Sequence, residues 1–137
     1  MRFGFQTNSI VYLACPYTAS EEAVRERRFQ CATQAAAYLI RSGLIVFSPI
    51  TMTHPIDLVL AGDSQTLGSE YWVRFDEAFM EFCSRIVVLK IDGWDSSRGV
   101  KREIEWFRNH ERAIDYLEWS VVEAEAERDR TQPNPHG

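Results

Sequence analysis

Glu103 closes the run Ser97-Arg98-Gly99-Val100-Lys101-Arg102-Glu103, which has the look of a helix start. Gly99 and Glu103 are four residues apart and share one helical face. A glycine there lets a ligand approach the helix backbone. Ser97 and the first free amides can hold a phosphate or hydroxyl, helped by the helix dipole. A carboxylate near a helix N-terminus is expected to be held ionised, which suits a nucleophile attacking a sugar carbon. Asp76, arriving from the preceding helix, is the candidate second carboxylate, protonating or orienting the leaving group.

The elements that must position these groups follow from the pattern. Ile10–Ala14 reads as a first strand, ended by Cys15-Pro16-Tyr17-Thr18, where Pro16 cannot donate to a ladder. Ser20 is the expected cap of a long helix carrying Val24, Phe29, Ala32, Ala36, Leu39 and Ile40, and Ser42-Gly43 ends it. Leu44–Phe47 is a second strand, and the strand-helix-strand order predicts a right-handed parallel crossover. Thr51–Pro55 reads as loop, Ile56–Ala61 as a short helix and Gly62–Gly68 as another loop. A long loop in a compact domain is often a lid or pocket wall. Glu70–Phe82 is a helix with the apolar stripe Trp72, Phe75, Phe79 and Phe82. Arg85–Ile91 is a continuous apolar strand of the kind buried on both faces. The polar loop Asp92–Ser97 leads into a helix running to about His110. Ala113–Leu117 is a fourth strand, Ser120–Arg128 an acidic helix.

This alternation predicts a single-domain α/β fold, a doubly wound parallel sheet of four or five strands, flavodoxin-like or Rossmann-like. Residues 1–130 form the expected domain and 131–137 a mobile tail. In such sheets ligands bind beyond the strand ends, so Tyr12–Tyr17, Ser48–His54 and Asp92–Gly99 should converge. No dinucleotide glycine fingerprint follows the first strand, and no phosphate-loop lysine motif occurs.

The 137 residues carry a net charge of −5, without the basic stripe that a nucleic-acid polymer needs. The three cysteines lack metal-like pairing, the N-terminal segment is too polar for a cleavable signal, and no run reaches transmembrane length. A cytoplasmic protein with reduced thiols and no membrane partner is the expectation.

Two segments resemble the nucleoside 2-deoxyribosyltransferase-like superfamily, which includes nucleotide N-glycosidases. Tyr12-Leu-Ala-Cys-Pro-Tyr17 resembles its first strand and loop, and Gly93–Glu103 its helix-opening motif. The likeness is closest to small bacterial and phage members and spans roughly Ile10 to Leu117. It implies that Glu103 is the nucleophile at C1′ and that Asp76 assists the leaving base. Tyr12 would lie under the sugar and orient Glu103, while Ser97 and Gly99 would bind the 5′ hydroxyl or phosphate. Asp92 would touch sugar or base. The substrate is then a nucleoside or nucleotide, with no cofactor and no metal, in a homo-oligomer (dimer or higher). Lys101 and Arg102 depart from the small or aromatic residues usual in that motif. The base-contacting group that some members take from a neighbouring C-terminus has no clear counterpart.

Each candidate also has an ordinary reading. Glu103 and Asp76 can be solvated helix residues, Tyr12 core packing, Ser97 a helix cap and Asp92-Gly93 a turn. Pro16 and Tyr17 stand at a strand end where a ligand would sit. His54 is an acid-base candidate or a structural histidine before proline. Trp94 stacks on a base or anchors its loop on the sheet edge. The rival to an enzyme is a non-catalytic nucleotide-binding module of the same fold.

Overall fold

The computed structural model describes residues 9–61 and 68–131, with nothing to say of the Thr131 side chain. His136 and almost all of the expected 62–68 loop and 131–137 tail lie outside the described residues. The elements are β1 (Ile10–Ala14), α1 (Glu22–Arg41), β2 (Ile45–Phe47), α2 (Pro49–Leu60), α3 (Ser69–Met80), β3 (Arg85–Lys90), α4 (Arg98–Asn109), β4 (Ala113–Glu118) and α5 (Trp119–Thr131). The four strands are parallel in the order β2-β1-β3-β4. The chain winds outward from β1 in one direction, then returns to β1's other side with β3. The switch point is therefore between β1 and β3, where a crevice opens beyond the strand ends.

Both faces of this sheet are covered. Val11, Leu13, Val87 and Leu89 pack with Cys31, Ala32, Ala35, Ala36 and Leu39 of α1, Ile50 of α2 and Val122 of α5. Tyr12, Ala14, Ile86 and Val88 point the other way, onto Met80 and Val100, Ile104 and Phe107 of α4. Alternating residues of β1 and β3 thus enter two different cores, which is why neither strand alternates apolar with polar. Among the described residues no helix is long and apolar enough to cross a membrane.

Several local expectations are corrected. The N-cap of α1 is Glu21, not Ser20, and it makes no side-chain capping bond. Ile40 is exposed. Residues 51–55 are not loop: α2 runs unbroken from Pro49 to Leu60 with Pro55 inside it. Pro49 has the fixed φ that suits a first helical turn, and burial of Ile50 and His54 holds the segment despite the proline. The α3 stripe is divided. Phe79 stacks on Phe47 with centroids 4.3 Å apart, whereas Phe82 lies beyond the helix and is 75 % exposed. Gly43 does end α1 with φ 92°, and Ser97 does cap α4, its hydroxyl accepting from Val100 N–H at 3.2 Å.

Candidate active site

A cleft of about 700 Å³ opens at the β1/β3 switch point. The loop after β1 supplies Cys15, Tyr17 and Thr18 to its walls, and α2 supplies Thr53 and Asp57. Ser69, Trp72, Val73 and Asp76 follow one another at helical spacing, so one face of α3 forms a wall. Opposite lie Ser96, Ser97, Gly99, Arg102 and Glu103 from the start of α4.

Glu103 is at the bottom, only 6 % exposed. It faces inward because Val100, Ile104 and Phe107 pin the same side of α4 to the sheet. Tyr12, fully buried between the rings of Phe47 and Phe107, donates its hydroxyl proton to Glu103 Oε2. Tyr12 does not line the cleft; it stands behind Glu103 and fixes the carboxyl. Burial pushes its phenol pKa well up, with Glu103 adding to the effect, so it remains a donor.

The expectation that Glu103 is held ionised is overturned. Burial raises its pKa to about 8, and the neighbouring Asp76 charge contributes in the same sense. The Tyr12 hydrogen bond and Arg102 oppose this without cancelling it. Glu103 sits in the second turn of α4, whereas the dipole acts within the first. Desolvation therefore wins. Asp76 is less deeply placed, and burial raises it to about 6 against the pull of Arg102. Arg102 Nη2 lies 3.8 Å from Asp76 Oδ2, and Arg102 Nε is buried without a hydrogen-bond partner among the described residues. The two carboxyls and one guanidinium make a site that holds a single proton across the neutral range.

The structure thus brings Tyr12, Asp76, Glu103, Ser97, Gly99 and Tyr17 to one place. Four other candidates stand apart from the cleft lining. Pro16 is buried in the turn after β1. Asp92 is exposed, and its backbone carbonyl accepts from Arg28. Trp94 is a loop anchor, its ring 5.7 Å from Tyr116 with Lys90 Nζ over it at 5.4 Å. His54 is buried behind Tyr17, whose hydroxyl lies 2.7 Å from His54 Nδ1.

Sequence reading missed Arg28, Asp57, Arg102 and the cleft-facing role of Trp72. Arg28 donates to the carbonyls of Thr18 at 2.9 Å and Asp92 at 3.4 Å, tying the loops after β1 and β3 together. Gly93 makes room for this: its φ is 90°, and a Cβ there would stand 2.6 Å from Arg28 Nη2. Only the Asp92-Gly93 turn signal hinted at the arrangement. Among the described residues no group of three or more His, Cys, Asp or Glu side chains could hold a metal ion.

Residues 9–119 match the family model described as Domain of unknown function (DUF1937). That span is most of the chain, which belongs to this family. It contains every described residue that lines the cleft. No curated protein matches the chain.

Proposed function

We propose that this DUF1937 member cleaves or exchanges the N-glycosidic bond of a nucleoside or nucleoside 5′-monophosphate. The observation that carries the reading is the meeting of Glu103, backed by the Tyr12 hydroxyl, with Asp76 in one cleft. The resemblance of Tyr12–Tyr17 and Gly93–Glu103 to the nucleoside 2-deoxyribosyltransferase-like superfamily supports it. Glu103 Oε attacks C1′ as the C1′–N bond breaks, and the bonding pair leaves with the base. Asp76 gives its proton to the base. Water or a second base then gives a proton to Asp76 as it bonds to C1′, and the C1′–O bond to Glu103 breaks to free the carboxylate. The one proton rests on Glu103 in the free site, and the reacting form is the minor tautomer with that proton on Asp76 and Glu103 ionised, steadied by Tyr12 and Arg102. Ser96 and Ser97 line the cleft beside the first turn of α4, a combination that suits a 5′ hydroxyl or phosphate.

Incubation with a panel of nucleosides and 5′-monophosphates, followed by assay of free base, tests this. Release is expected in the wild type and lost in Glu103→Ala. No release across the panel overturns catalysis and leaves the nucleotide-binding module. The reading includes self-association, which the resemblance implies, through the aromatic-rich segment 70–82, where Tyr71 is exposed. A monomer in light scattering at working concentration removes that part.

A further inference from the structure

We infer that Asp57 is the specificity residue of the cleft, reading an exocyclic amino group on the base. The inference rests on the nucleoside reading above. Asp57 lines the cleft, and Tyr17 Oη donates to its Oδ2 at 3.2 Å. The Tyr17 hydroxyl is in turn 2.7 Å from His54 Nδ1, and His54 Nε2 is 2.8 Å from Glu26 Oε2. His54 is 2 % exposed and is clasped by rings, stacked on Phe29 at 4.5 Å and edge-on to Tyr17 at 5.6 Å. None of these four polar groups takes part in the glycosidic step.

Their arrangement has a direction. Hydrogen bonds from Gln30 and His54 lower the Glu26 pKa, so Glu26 is an acceptor. Tyr17 has one proton, and giving it to Asp57 leaves its oxygen to accept from His54 Nδ1. Burial, with Asp57 beside it, pushes the Tyr17 phenol up to about 12, so Tyr17 keeps its proton. The chain ends on a carboxylate, which accepts hydrogen bonds at two oxygens and donates none. Tyr17 is its only side-chain donor among the described residues. The remaining lone pairs suit a ligand that donates.

Position identifies the donor. The sugar carbon must lie at Glu103, at the bottom of the cleft. Asp57 and Trp72 line the same cleft from α2 and α3, so the base, extending from C1′, meets an aromatic face and a carboxylate together. An exocyclic amino group offers hydrogens to Asp57; a carbonyl in its place would set oxygen against oxygen. Tyr17, His54 and Glu26 are positioning residues that hold Asp57 in register.

The experiment measures binding to Glu103→Gln protein by calorimetry, so that no ligand is consumed. Adenosine is compared with purine riboside, and cytidine with 2-pyrimidinone riboside, in ribo and 2′-deoxyribo forms. Members of each pair differ only by the amino group. In at least one pair the amino member should bind about ten-fold or more tightly, as expected for a hydrogen bond to a charged acceptor. Adding Asp57→Ala should close that gap. Adding Tyr17→Phe, which keeps the carboxylate and the ring, should narrow it and raise KM more than it lowers kcat in the Glu103 enzyme. Equal binding in both pairs, no binding of any member, or a gap that survives Asp57→Ala overturns the inference. A gap with no base release by the wild type upholds it and sinks the glycosidic reading; release with no gap does the reverse.

Discussion

Tyr12 and Glu103 are 91 residues apart in the chain and joined by a buried hydrogen bond. Tyr12→Phe removes the donor while keeping the ring between Phe47 and Phe107. Glu103 ionisation then loses one of its two supports, since the bond favours the charged form. Base-releasing kcat/KM should fall about 10- to 100-fold, the range of a hydrogen bond to a charged group. Its pH optimum should move to higher pH. An unchanged optimum would mean that the hydroxyl does not set the Glu103 proton affinity.

The Glu103 and Asp76 pair should give a bell-shaped pH profile of kcat/KM, with limbs near the values of about 8 and about 6. Below the lower limb both carboxyls are protonated and no nucleophile exists; above the upper limb neither can protonate the base. Asp76→Asn removes the nearby negative charge that raises Glu103. The Glu103 titration should then move down, read by NMR of the labelled carboxyl carbon, while turnover of substrates with poor leaving groups collapses. A Glu103 titration that stays in place in Asp76→Asn would disprove the coupling.

Stability should depend on pH through the same residue. Glu103 binds its proton more tightly folded than unfolded, so the native state holds the extra proton between the ordinary value of 4.5 and about 8. Stability of the ligand-free protein is therefore lost as pH rises through that window. Urea denaturation from pH 5 to 9 measures it. Glu103→Gln, which still accepts from Tyr12, should flatten the slope from this residue. An equal slope in both proteins would reject the assignment.

Gly93→Ala tests the loop clamp. The new methyl meets the far end of Arg28 and requires φ 90° of a residue with a Cβ. The cost should be about 1–3 kcal/mol, read as a lower urea midpoint with an unchanged m-value. Arg28→Ala should lose less, because it removes two bonds to backbone carbonyls without imposing strain. A Gly93→Ala protein as stable as the wild type would show that the turn relaxes freely.

Much of this architecture was legible because single residues settle it. The bounds of β1 follow from Pro16, the end of α1 from Gly43, and the start of α4 from Ser97. Glu103 and Asp76 stood out as carboxylates in the sequence, and both line the one cleft. What escaped was decided by packing between distant segments. Pro55 and the threonines around it argue for loop, and only the burial of His54 against Phe29 and Tyr17 makes that stretch helical. The Glu103 protonation state depends on how deeply α4 is seated, which no local pattern encodes. Arg28 and Asp57 face the cleft only because α1 and α2 flank it.

The β2-β1-β3-β4 order has a consequence for how the molecule acquires its site. Glu103 and Tyr12 meet only after β1 pairs with β3, a contact that closes a loop containing α1, β2, α2 and α3. Closure of so long a loop costs chain entropy early, and helices alone form faster. Quenching of Trp72 by a bound nucleobase would therefore arise late during refolding, after helical circular dichroism has recovered. Ligand binding would report completion of the central strand pair.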